Sequence, residues 1–406
     1  MSIDSTDLRN ANIEDIVARL ATDHERKFDC VVPATAIRAE GGHLQIDGMG
    51  YEAMAGLDPA AVGTFNPSPI FQGQLAERFG IPVRYLRALH ADRPDLWDAN
   101  LNGWIHGHQP PMGSPAGGEY GPDPRRFFVR TYTDLEGGPG LARALLSDSF
   151  NPIDNTEVLV AALGGIKDSG VEAHVVSGNV SERRMQVRVA CPDLAVLAPE
   201  LLKGYRPTTG GWTVDRAREV AAREGKGYPA GEEPVVFAGF DIGNSEVGDG
   251  AYQLTPVCLV QMCANGLTFP LDALRQVHLG GKLGEGRVRW SDDTRKRNSE
   301  LVRSMSQDAV RTFLDIDYVR EQVARIEAMA ATGLAEPVKT IERVTKTLGF
   351  ADDTAQGILQ HFVLGGQNTA GGVLNAITAY AQTVPSADTA YDLEAVAVKA
   401  LALAAA

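Results

Sequence analysis

"FAGFDIGNSEVGDGAYQLTPVCLVQMCANG", residues 237–266, is the stretch whose reading decides the fold. Two apolar runs flank a polar loop, and Asn265-Gly266 adds a turn signal at the far end. The expected structure is strand, loop, strand, turn. Within the loop, Asn244, Ser245 and Glu246 precede Gly248 and Gly250. A lone glutamate lacks the second carboxylate, metal cluster or nucleophile–base pair that hydrolysis needs. The loop therefore reads as a fold signature in which Asn244, Ser245 and Glu246 line a groove, with no catalytic residue assigned. Cys258 and Cys263 read as small apolar core residues.

Outward from this hairpin, "VEAHVVSGNVSERRMQVRVACPD" (171–193) reads as a second one, with its alternating runs flanking Ser177-Gly178-Asn179 and Ser181. "RRFFVRTYTD" reads as a strand and "GGPGLARALLSDSF" as a helix. "NTEVLVAALGGIKDSG" reads as another helix, N-capped by Asn155. Toward the N-terminus the spacing gives an amphipathic helix in residues 1–24, short strands at 28–55 and a helical pair at about 72–105. Residues 203–233 read as a flexible insertion. From about 294 onward apolar residues recur at helical spacing almost without interruption, and the terminal alanines read as a fraying end.

The fold class expected is α+β: a central antiparallel sheet built from long hairpins with packed helices, a helical N-terminal segment and a largely helical C-terminal third. The boundaries follow composition. Residues 1–106 form an N-terminal α/β region with a helical hairpin and 107–124 a Gly/Pro-rich linker. Residues 125–293 form the central α+β core and 294–406 the C-terminal helical region.

At 406 residues and a net charge of −14, the chain can bury a large core and is no wholly basic nucleic-acid coat. Four cysteines without a CxxC pair fit a reducing cytoplasm. Neither a signal peptide nor an apolar run long enough to span a membrane is expected. The eight histidines are scattered, apart from His106 and His108, and no metal or cofactor is assigned.

"LARALLSDSFNPIDNTEVLVAAL", with its Ala144–Asn155 core, resembles the hallmark phrase of a phage/plasmid-like family called domain of unknown function 932. "NSEVG…CANG" and "NTAGGVLNAITAYAQ" resemble two further phrases of that family, and the likeness covers roughly residues 125–385. Gly371-Gly372 departs from it, since an aromatic or larger residue is expected there. The resemblance implies a mobile-element setting and no established activity.

Three constellations bear on binding. In "RQVHLGGKLGEGRVRWSDDTRKRNSELVRSM" the cations include Lys282, Arg287, Arg289, Arg295, Lys296 and Arg297, and Trp290 sits among them. Lys and Arg neutralise phosphates without a sequence code, and an indole stacks on an unpaired base. The plainer reading is a solvated helix face. Next, "QLAERFGIPVRYLRALHADR" (74–93) places Ala76, Gly80, Ile81, Leu86 and Leu89 as a helix-turn-helix does, which would offer Arg84, Tyr85 and Arg87 to a duplex. Any tight helical corner reads the same way. Finally, strand alternation puts Arg184, Gln186 and Arg188 on one face and Met185, Val187 and Val189 in the core. The polar face reads either as a contact for a single strand or as an ordinary wet face.

The leading expectation is a non-catalytic, homo-oligomeric protein of a mobile element that binds nucleic acid, most of all single-stranded DNA, through Arg184, Arg188 and residues 282–303. The alternatives are a structural or assembly protein and a metal-dependent hydrolase or nuclease using Glu246.

Overall fold

In the computed structural model, the structure describes residues 7–47, 63–107, 121–150, 152–206, 235–260, 266–268, 274–276 and 292–406. The opening hairpin is at its centre. Strand β10 (Val235–Asn244) pairs antiparallel with β11 (Tyr252–Val260), and the polar loop between them is the turn. On its other edge β10 pairs with β9 (Met185–Leu197), which pairs with β8 (His174–Val180), and β8 pairs with β1 (Leu8–Ala11). Strands β12 (Gly266–Thr268) and β13 (Leu274–Gln276) both add to β11.

This is the second of two sheets; the first is built from strands that, β1 apart, come earlier in the chain. It comprises β2 (Lys27–Pro33), β3 (Ile37–Glu40), β4 (His43–Ile46), β5 (Thr64–Pro67), β6 (Arg126–Tyr132) and β7 (Gly140–Ser147), in the order β2-β6-β7-β5-β4-β3. All pairs are antiparallel except β5 with β7. The fold is α+β, with two sheets where one was expected. Strands from both sides of the Gly/Pro-rich 107–124 stretch build the first of them, so that stretch does not separate two units; residues 108–120 lie outside the described residues.

Three helices, α2 (Pro69–Phe79), α3 (Val83–Asp92) and α4 (Pro94–His106), cover the first sheet and replace the expected pair, because Pro94 starts a new helix straight after α3. Phe65, Phe71, Leu75, Trp97, Leu101 and Val129 fill the space between. Helices α1 (Ile13–Arg26), α5 (Asn155–Ser169) and α6 (Asp292–Phe313) pack on the second sheet, over Val187, Phe240, Ile242 and Leu254. Along the same face of β10, Val236 and Ala238 join the core of the C-terminal helices α7 (Ile316–Ala330), α8 (Pro337–Leu348), α9 (Asp352–Gly365), α10 (Ala370–Thr383) and α11 (Ala387–Ala405).

Several local expectations change. "GLARALLS" is strand β7, not a helix: its side chains are buried on both faces of the sheet, and pairing with β6 and β5 on its two edges overrides the helix propensity of Leu and Ala. Asp154, not Asn155, holds the N-cap position of α5. The β8–β9 turn falls at 181–184, while Ser177–Asn179 stay in strand β8, where Gly178 leaves room for Ile16 of α1. The terminal alanines are not a frayed end, since Ala397, Ala400 and Ala404 are buried on α11. Most of the 203–233 insertion lies outside the described residues. No helix among the described residues is long and apolar enough to cross a membrane.

Candidate functional site

The loop after β10 closes on a buried polar knot between the two sheets. Glu246 accepts from Arg143 Nη1 at 3.0 Å through Oε2 and from the backbone N–H of Asn155 at 2.8 Å through Oε1. Asn244 Nδ2 donates to Ile153 O and Asn155 Oδ1, both at 2.9 Å. Arg130, fully buried on β6, donates to Asp29, to Asp154 and to the carbonyl of Glu246. Lys27 pairs with Asp154 as well, and the Arg143 guanidinium stacks 4.1 Å from the Tyr132 ring centre. The phrases "SDSFNPIDN" and "NSEVG" thus meet as one interlocked element. Gly248, at φ 79°, keeps it tight, since a Cβ there would lie 2.8 Å from Leu146.

The electrostatics follow from burial. Burial pushes the Glu246 carboxyl up, but the Arg143 and Arg130 charges outweigh it and hold the group below its ordinary value. For Asp154 the same competition of burial against Arg130 and Lys27 ends at about 2. Asp29 goes the other way, because its burial outweighs Arg130. Glu246 is thus bonded on both carboxylate oxygens, to the Arg143 guanidinium and to the Asn155 N–H. Asn244 and Ser245 border a cavity of about 140 Å³, and Glu246 a cleft of about 10 Å³.

The polar face of β9 is not wet. Arg188 is buried in a bidentate pair with Asp241, at 2.8 and 2.7 Å, and reaches Glu394 of α11 at 2.6 Å. Arg184, half-buried, stands among Asp249, Asp388 and Asp392 and under the Tyr391 ring. Both arginines are paired with carboxylates of the chain itself. Met185, Val187 and Val189 do point into the core. Of the basic segment, Lys282, Arg287, Arg289 and Trp290 lie outside the described residues, as does the side chain of Arg295. Lys296 is exposed and Arg297 pairs with Asp293 one turn back at 2.8 Å.

The 74–93 corner forms. Gly80 takes the left-handed conformation that ends α2 (φ 65°), and the Ile81 N–H returns to Ala76 O. Ala76, Leu86 and Leu89 are buried, Arg84 is exposed, and Tyr85 is 51% exposed. Arg87 is exposed too, with one N–H on Pro69 O. Gln74 of α2 anchors the corner to the knot by donating to Val247 O and accepting from Leu145 N.

The remaining family-like phrase is also packing. Asn375 donates to Gln367 Oε1 and Leu201 O, and Gly371 and Gly372 sit where a Cβ would press on Leu201 O and overlap Gln367 O. An aromatic residue at 371 or 372 has no space. Arg130, Arg143, Asp154, Asp241 and Glu394 escape a sequence reading, although a lone charge inside an apolar strand run ("RFFVRTY", "FAGFDIGN") is the signal for a buried ion pair. No family model matches the chain, and neither a curated protein nor a solved structure does.

Proposed function

We propose that this chain binds nucleic acid without catalysis, and that a DNA duplex meets it at the α2–α3 corner. The observation that carries this reading is a contrast among arginines. Arg130, Arg143, Arg184 and Arg188 are each held by carboxylates of the chain itself. Arg78, Arg84 and Arg87 pair with no carboxylate among the described residues, and all three are exposed. In a protein of net charge −14 these three guanidinium groups stand close together in the chain, on helices carrying only the acids Glu77 and Asp92.

Arg84 and Arg87 lie three residues apart and share a face of α3, beside exposed Tyr85. A helix fits the major groove, and cations on its rim neutralise phosphates. The corner is stiff, through the Gly80 turn and the Gln74 anchor, so the helix is presented without an ordering cost. The phage or plasmid setting belongs to the same proposal and is supported by the resemblance of the three phrases.

Fluorescence anisotropy with labelled duplex and single-stranded DNA at two salt concentrations tests it. Duplex binding that weakens steeply with salt is expected. Binding to neither at low salt would end the proposal, and preference for the single strand would move the contact to residues 282–303.

A further inference from the structure

On the face of the second sheet opposite its main core, two polar rows cross the strands. Ser177, Arg188, Asp241 and Thr255 stand side by side on β8, β9, β10 and β11, and Asn179, Gln186, Gly243 and Gln253 form the next row. Helix α11 roofs them. Between roof and rows lies a cavity of about 360 Å³, within the range of small-molecule sites. Its apolar walls are Phe237 and Leu259, and on the helical side Ala381, Ala387 and Ala390 are too small to fill it.

The charges inside cancel one another. Arg9 and Arg188 on the lining are balanced by Glu394, also on the lining, and by Asp241 behind Arg188, so the site carries no net charge to favour an ionic ligand. Hydrogen-bonding capacity is nevertheless left over. Arg188 uses Nε and Nη2, and its Nη1 has no partner among the described residues. The Gln186 amide makes two stretched bonds, each 3.4 Å, to Asp241 and from Asn179. Ser177 lines the same wall. Amides and a guanidinium edge beside an aromatic ring are the groups that read the donor–acceptor edge of a base and stack on its face.

We propose that this cavity binds an uncharged nucleobase, presented either as a free nucleoside or on a strand. The site is separate from the α2–α3 corner and can be filled whether or not a duplex binds there.

Titration calorimetry of the full chain with adenosine, guanosine, cytidine and thymidine supplies the first arm. At least one is expected to bind the native protein, Ala390→Trp is expected to abolish binding by filling the space, and Gln186→Leu to weaken it about tenfold. If Ala390→Trp fails to fold by circular dichroism, Ala387→Leu takes its place. The second arm compares a short single strand with the same strand carrying one abasic position. A base-dependent gain that Ala390→Trp removes identifies a strand-borne base, and nucleoside binding without that gain identifies the free compound. Absence of both effects, or undiminished binding in the filled variants, overturns the proposal. Because free nucleosides carry no phosphate, this arm succeeds or fails independently of duplex binding.

Discussion

At the residue scale, Glu246 shows what a buried charge does when its partners are in place. Its carboxylate satisfies Arg143 and the first N–H of α5, and its carbonyl satisfies Arg130. Removing one member strands the others: Glu246→Ala leaves the buried Arg143 guanidinium and the Asn155 N–H without their carboxylate, at a cost of about 3–5 kcal/mol. Urea denaturation should show that loss as a lower midpoint, whereas Arg297→Ala, which breaks an exposed pair within one helix turn, should leave the midpoint unchanged. Equal effects of the two would mean the knot does not hold as described. The sequence flagged Glu246 and Asn244 through the loop they share. It could not identify Arg130 or Arg143, whose partners Asp29 and Glu246 lie more than a hundred residues away.

At the element scale, β10 depends on residues too small to be noticed in a hydropathy pattern. A Cβ on Gly239 would lie 2.2 Å from Val189 O, a backbone atom of β9 that cannot give way without parting the strands. Gly239→Ala is therefore expected to cost about 1–3 kcal/mol, as overpacking does. Gly333→Ala meets nothing within 4 Å and should leave the melting temperature level or slightly higher. Both hairpins were legible, because period-two alternation survives wherever one face is core. Strand β7 was not, because burial on both faces erases the alternation and leaves a run of Leu and Ala that reads as helix. Nor was the polar face of β9 recognisable as covered, since its roof of Tyr391 and Glu394 comes from the other end of the chain.

At the scale of the whole molecule, the knot bridges the two sheets, and this makes stability sensitive to acid. Burial pushes Asp154 up, but Arg130 and Lys27 bring it down to about 2, below the ~3.9 of an unfolded aspartate. A depressed carboxyl contributes stability that is fully present above about pH 4 and is lost as pH falls toward 2. Glu246 is depressed by Arg143 and Arg130 against its own burial and adds to the same loss. Asp29 and Glu394, raised by burial, oppose it. Asp154→Asn should be less stable than the native chain at neutral pH, and the gap should close between about pH 4 and 2. Melting temperatures across that window would check it, and parallel curves would contradict it.

The class of fold was readable from end to end, but how its layers meet was not: the joins depend on ion pairs spanning both sheets and on a corner held by Gln74. That corner is also where the proposed duplex contact lies. The measurement that tests it most directly is the salt dependence of duplex binding by the native chain and by Arg84→Ala. The account predicts weaker binding across all sequences and a log–log salt slope shallower by about 1 in the variant. An unchanged slope and affinity in Arg84→Ala would contradict it.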